Sequence, residues 1–300
     1  MSRILNSLAA AALVLAASLA FAQEALLKPF VLASRGPGDA AQKFEAVKAA
    51  LTASGFTIAG MYSPYPGAAV IVVTNEEMRN NAAKSARGGF GAAQRIAVTQ
   101  VKDEVQVSYT NPAYMANAYR LSSELKDTSA KLQAALGRVE EFGAQGLSAA
   151  KLRKYHYTIG MEYFDEPSEL ASYASFDEAV KAVEAGLTAG RYGVTKVYRV
   201  DVAGKNEAVF GVAMKGAGEG KYMDERYLMS EIDFKDVKST AHLPYDILVS
   251  DNKVYALYAR FRIAIDFPDL AMMGSNSFMN IMSAPEAIRK ALLQTVGGKD

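Results

Sequence analysis

The chain holds two histidines, His156 and His242, and no cysteine. Imidazole changes charge near neutral pH and is the commonest nitrogen ligand for metals. With no thiolate to help, a transition-metal site would need both histidines or would recruit carboxylates and methionines. His156 stands in Tyr155-His156-Tyr157-Thr158-Ile159, where strand alternation puts it opposite the two tyrosines and the isoleucine. An ordinary hydrogen-bonded or surface histidine fits that context as simply as a ligand does. Four methionines, Met272, Met273, Met279 and Met282, crowd the end of the chain, and soft thioethers suit copper(I). Methionine also fills irregular core gaps, and beside Leu270, Phe278 and Ile281 these four are expected to pack.

Anion recognition has its own candidates. Read as one strand, residues 254–265 place Tyr255, Leu257, Ala259, Phe261, Ile263 and Ile265 on one face and Tyr258, Arg260 and Arg262 on the other. Two guanidiniums beside a phenol could hold a carboxylate or another anion bidentately. A solvated face, or a contact through acids such as Asp224, Glu225 or Asp233, is the plainer reading. Tyr258, Arg260, Arg262, His156 and His242 are the candidate ligand-binding residues. Gly216-Ala217-Gly218-Glu219-Gly220-Lys221 lacks the Ser or Thr a phosphate loop needs after its lysine, since Tyr222 stands there, and Arg87-Gly88-Gly89-Phe90-Gly91 reads as a connecting loop. No nucleophile elbow, zinc-protease helix or dinucleotide fingerprint occurs. Glu162, Asp165 and Glu166 lie close in sequence, but spacing alone does not set acids on two sides of a substrate. No catalytic residue, metal or cofactor is assigned.

These side chains must be held by elements that repeat. Residues 44–62 and 180–198 align without a gap: Phe44, Val47 and Leu51 match Val180, Val183 and Leu187 on one helix stripe, and each helix stops near a glycine before a short strand. Each copy then has a hairpin, residues 95–109 in the first and residues 246–265, turned at Ser250-Asp251-Asn252, in the second. Asn111-Pro112 and Phe267-Pro268 place a proline at the expected first position of a following helix. Leading strands are expected over residues 30–34 and 155–163. A connecting helix is expected over residues 122–142, from Leu125, Leu132, Leu136, Val139 and Phe142, and a closing helix over residues 284–296 after Ser283.

The chain opens Met1-Ser2-Arg3, continues through an uncharged apolar run and reaches Ala20-Phe21-Ala22, the pattern of a cleavable export leader over residues 1–22. The run falls short of the roughly 20 residues a spanning helix needs. The expectation is a periplasmic protein with no membrane span. Absence of cysteine leaves no disulfide, thiolate metal site or lipid attachment. Basic and acidic residues number 33 and 32, and losing Arg3 with the leader makes them equal. Nucleic-acid binding, which draws on a basic surplus, is not expected. Half of the 300 residues are apolar, enough for two moderate cores.

The helix-to-strand stretches, Val105-Gln106-Val107-Ser108-Tyr109-Thr110-Asn111-Pro112, and His242-Leu243-Pro244-Tyr245-Asp246-Ile247-Leu248-Val249 together resemble the bacterial domain-of-unknown-function family numbered 302, twice in tandem over the whole mature chain. The resemblance implies a fold like the TATA-binding-protein and helix-grip arrangement: a strand, a helix, four strands and a closing helix. It brings no activity with it. The first copy lacks the Leu-Pro pair before its hairpin. The fold class expected is α+β in two tandem units, each an antiparallel sheet with helices on one face (β-α-β(4)-α), with residues 23–121 and 151–300 as the units and 122–150 as a connecting helix. The function expected is non-enzymatic binding of a small-molecule or anionic ligand, or of a periplasmic partner protein, in a groove or on a sheet face. Sixteen tyrosines suit such a surface, being apolar with a polar tip. The alternatives are an enzyme using carboxylate, histidine or arginine, and a copper or haem handling protein. Internal pseudo-symmetry points to a monomer.

Overall fold

A computed structural model describes residues 25–216 and 218–299; the expected export leader lies outside them. After the short β1 (Leu26–Leu27), the first half begins with β2 (Phe30–Pro37) and α1 (Ala40–Ala53), whose N-terminus is capped by the Asp39 carboxylate accepting from Gln42 N at 2.8 Å. Val47 and Leu51 form its buried stripe, and Gly55, with positive φ, turns the chain into β3 (Thr57–Tyr62). Then come β4 (Ala68–Thr74), α2 (Glu76–Ala83), β5 (Gln94–Val101), β6 (Glu104–Thr110) and α3 (Pro112–Ala118), which has its proline at the first helical position as expected. A linking stretch follows: α4 (Lys126–Leu136), β7 (Glu140–Phe142), β8 (Leu147–Ser148) and α5 (Ala149–Leu152).

The second half runs in the same order: β9 (Ser168–Ser172), α6 (Phe176–Thr188), β10 (Val194–Val202), β11 (Glu207–Met214), α7 (Glu225–Ile232), β12 (Tyr245–Ser250), β13 (Lys253–Ala256) and α8 (Ala259–Asp266), closed by α9 (Ala284–Thr295). The sheets are β3-β4-β5-β6-β2-β7 and β10-β11-β12-β13-β9, antiparallel throughout. The class is α+β. Each half departs from four uninterrupted strands by placing a short helix, α2 or α7, between the second and third of them.

Those inserted segments explain why helices cover one face of a sheet and yet neither face is open. Five successive residues of β4, Val70 to Val73 included, are buried, as are all eight of β11, although neighbours on a strand point to opposite faces. The covering is reciprocal. The turn after α2 reaches the second half, with Gly89 N donating to Glu207 Oε2 at 3.0 Å and Lys205 Nζ to Ser85 O at 2.6 Å. The loop after α7 lies on the first sheet, where Gln106 donates to Asp236 O and accepts from Lys238 N, both at 2.9 Å. Edge strands β3 and β10 meet where both are bulged, and a Cβ on Gly60 would stand 2.3 Å from Val197 O.

Four expectations need correction. Residues 155–163 are not a strand: Met161 N closes a turn on Thr158 O, Ile159 is 95% exposed, and the Tyr155 and Tyr157 hydroxyls donate to Ala264 O and Leu270 O, so no sheet edge is used. The leading strand of the second half is β9. Residues 254–265 split into β13 and α8, because burial of Phe261, Arg262, Ile263, Ile265 and Asp266 on nearly every side makes a helix and an alternating strand look alike in sequence. Pro268 follows α8 instead of opening a helix, consistent with the bias against helical geometry in the residue before a proline. The connecting helix stops at Gly137, whose φ of 93° breaks it, and residues 140–142 become β7, hydrogen-bonded to β2 as a sixth strand of the first sheet. The linker thus belongs to the first sheet.

Gly60→Ala tests the meeting of the edges. Its methyl would collide with the Val197 carbonyl and Tyr198 Cβ, so a loss of roughly 1–3 kcal/mol is expected, read as a lowered urea midpoint.

Candidate functional site

A strand rich in apolar residues buries whatever its inward positions carry, charged or not. Arg95 on β5 and Asp246 on β12 are both such positions, and the two halves bring them together as a buried ion pair. Asp246 also accepts from the Tyr198 hydroxyl at 2.7 Å. Arg262 and Asp266, one helical turn apart on α8, share a face and complete the cluster. Arg262 Nη2 donates to the carbonyls of His242 and Pro244, its Nε lies 4.0 Å from Asp246, and its Nη1 lies 3.6 Å from Asp266. His242 Nδ1 stands 2.5 Å from Asp266 Oδ2. Two guanidiniums thus face two carboxylates. Burial holds the His242 imidazole below its usual pKa even though Asp266 pulls the other way, so the ring is neutral at pH 7 and its Nδ1–H donates to the acid. The Tyr119 hydroxyl, held protonated by burial, the Tyr245 hydroxyl, Arg95 Nε and Asp266 Oδ1 add hydrogen-bonding capacity that no group among the described residues takes up.

Beside this cluster the loop after α7 builds a second feature. Its outer end carries Asp233, whose two oxygens accept from Ser239 N at 2.9 and 3.0 Å, and whose carboxyl is pushed up to about 7 by burial against the pull of that bond and of Lys238. Further in, Thr240 meets the Tyr65 hydroxyl at 3.1 Å and Thr99 Oγ1 at 3.0 Å, and two residues later the loop reaches His242. Between Tyr65, Gly67 and Gln100 of the first half and Arg226, Ser230 and Lys238 of the second lies an open groove of about 270 Å³. Lys238 Nζ is bonded to Asp233 O at 2.8 Å. Arg226 is exposed and, among the described residues, has no hydrogen bond or ion pair, so its charge is available to an occupant of the groove. At the neighbouring contact the Tyr62 hydroxyl donates to Glu225 Oε1 at 3.0 Å, and burial pushes the Glu225 carboxyl up to about 8 in spite of that bond.

Of the five candidate residues, the structure unites two, His242 and Arg262, deep between the halves. Arg260 is held by Glu162 in a two-pronged pair with one bond of 3.1 Å, and Tyr258 at the start of α8 lies 5.8 Å from the same guanidinium. Residues two apart on a helix differ by about 200° in direction, so Arg260 and Arg262 cannot serve one anion as they could on a strand. His156 is a surface histidine, bonded to Thr158 O at 2.9 Å with its ring against Tyr163. The methionines expected to pack, Met272, Met273, Met279 and Met282, are exposed, because Leu270, Phe278 and Ile281 take the inward positions of that loop. Arg95, Asp246 and Asp266 escaped the reading of the sequence. Their signal was a single charge in an otherwise apolar run, as in Asp246-Ile247-Leu248-Val249.

Among the described residues no group of three or more His, Asp or Glu is placed to hold a metal ion, and no helix is long and apolar enough to cross a membrane. Comparisons with family models, with curated proteins and with solved structures give no match to this chain.

Arg95→Met strands Asp246 in the interior and is expected to cost about 3–5 kcal/mol, while Arg95→Met with Asp246→Leu recovers at least half of that; chemical denaturation of both reads the difference. Glu225 supplies a pH test. Its carboxyl takes up a proton more readily folded than unfolded between its ordinary value of about 4.5 and about 8, so stability falls as pH rises through that window. From pH 7 to 9 the wild type is expected to lose more melting temperature than Glu225→Gln, in which only Asp233, with its carboxyl at about 7, still titrates at the lower end of that range.

Proposed function

We propose that this is an exported binding or accessory protein that takes a small anionic molecule in the groove between its halves. The observation that carries the reading is Arg226, an unpaired guanidinium at a groove whose walls come from both halves, with Lys238 and the Tyr65 and Ser230 hydroxyls beside it. A carboxylate or similar group there would meet a cation able to bind it bidentately, with hydroxyls for its polar remainder. The sheet faces are a poorer choice, since each is covered by helices or by the other half. Resemblance to a tandem pair of family 302 units is supported by the shared strand order of the two sheets. The leader pattern and the absence of cysteine support the periplasm as its compartment. A protein partner using the same groove is the related possibility the experiment separates.

The His242–Asp266 pair favours a second reading, an enzyme with a general base. The two side chains are 1% and 0% exposed, so a substrate would reach them only after the halves part.

Native mass spectrometry of the protein isolated from the periplasm, beside the same sample denatured, tests the binding reading. A mass excess lost on denaturation and absent from Arg226→Glu is the expected result. No excess, together with no perturbation of groove residues by a panel of small carboxylates in NMR titration, overturns it. A protein-sized excess instead assigns the groove to a partner.

A further inference from the structure

The loop from α8 to α9 puts four methionines where packing has no use for them. Met272, Met273, Met279 and Met282 are 42%, 76%, 48% and 58% exposed. Methionine side chains are commonly buried, and here the burial is done by neighbours: Ile281 is fully enclosed, and Leu270 and Phe278 pack against the second core.

The loop is nevertheless well fixed. Its arms are joined by Phe278 N to Ala271 O at 2.8 Å and Met279 N to Met272 O at 3.2 Å. Asn276 and Asn280 donate to the backbone and the carboxylate of Glu231 on α7, at 3.2 and 2.9 Å, and the Tyr227 hydroxyl donates to Asn280 O at 3.2 Å. Gly274 and Asn276 take the positive φ that its tip requires. Residues Phe278–Ile281 form a 3₁₀ turn, and Met282 N bonds to Met279 O at 3.4 Å. In that turn side chains three apart eclipse, so Met279 and Met282 share a face, and the Met279–Met272 backbone bond sets a third methionine beside Met279 in the loop. Met273 follows directly.

We propose that this loop is a binding site for a soft monovalent metal ion, copper(I) or its analogue silver(I), with Met272, Met279 and Met282 as ligands and Met273 as a fourth donor. Thioethers select copper(I) over harder divalent ions, and their flexible stems let them close on an ion from a fixed backbone. A thioether carries no proton to lose, so binding is independent of pH where a histidine or thiolate site would weaken in acid. The site shares no residue with the groove.

The test is an anaerobic titration of the full chain with silver(I) or copper(I), followed by NMR of methionines labelled at the methyl carbon and by competition with a chromophoric chelator. One equivalent is expected to shift the four loop methyls among the 12 methionines of the chain, with the same affinity at pH 5.5 and pH 7.5. Replacing Met272, Met279 and Met282 together by Leu should weaken binding at least tenfold without lowering the melting temperature, since all three are exposed. Arg226→Glu should bind the metal as the wild type does. Shifts confined to other methionines, an affinity that falls in acid, or undiminished binding by the triple variant would overturn the assignment.

Discussion

The guanidinium of Arg95 and the carboxylate of Asp246 meet in the interior, each carried there by a sheet of a different half, and the architecture around them follows from keeping that pair whole. A lone ion in such a place costs several kcal/mol, and pairing offsets much of that cost. Tyr198 on β10 donates to the Asp246 carboxylate and Arg262 on α8 adds a second cation 4.0 Å away, while Arg95 Nε has no partner among the described residues. Sliding one sheet along the other by a single residue would part the charges, so the pair also sets how the halves are registered. Hydrophobic burial supplies the bulk of the attraction and is indifferent to such shifts.

One loop joins the two polar features. Residues 233–242 offer Asp233 and Lys238 to the groove at one end and His242 to the buried cluster at the other, with Thr240 tied to the first half between them. A group that pulls on the outer end therefore pulls on a segment whose inner end is bonded to Asp266. Glu225 at the first position of α7 and Asp233 just past its last both have carboxyls that burial drives toward the neutral form.

The parts of the fold that sequence revealed are those whose burial is one-sided. In α1 and α6 the stripes Val47-Leu51 and Val183-Leu187 stand out against polar faces. The failures fall where that contrast vanishes. Around Phe261 the chain is enclosed on nearly every side, so an alternating pattern disguised a helix. Around Tyr157 and Ile159 alternation occurs in a segment with no strand to pair with, anchored by hydroxyls instead. Among the site residues, His242 drew attention by its type. Arg95 did not, because nothing in Gln94-Arg95-Ile96 says that an acid waits 151 residues later. Exposure of the four methionines was likewise hidden, since composition cannot say which apolar residues of a loop turn inward.

The reciprocal covering of the sheets bears on the order in which the molecule can be made. A chain that emerges from a ribosome or a membrane pore with its first residue leading presents the whole first half before the second exists. That half can pair its strands and dock α1, but the face of its sheet under residues 236–240 stays wet, and Arg95 has water in place of Asp246. The first half alone is thus a half-sandwich whose uncovered face carries Arg95, Thr99, Gln106 and Ser108, which find their protein partners only in the second half. Pairing of Arg95 waits for β12, 151 residues further along the chain, so the first half cannot satisfy its own buried charge alone.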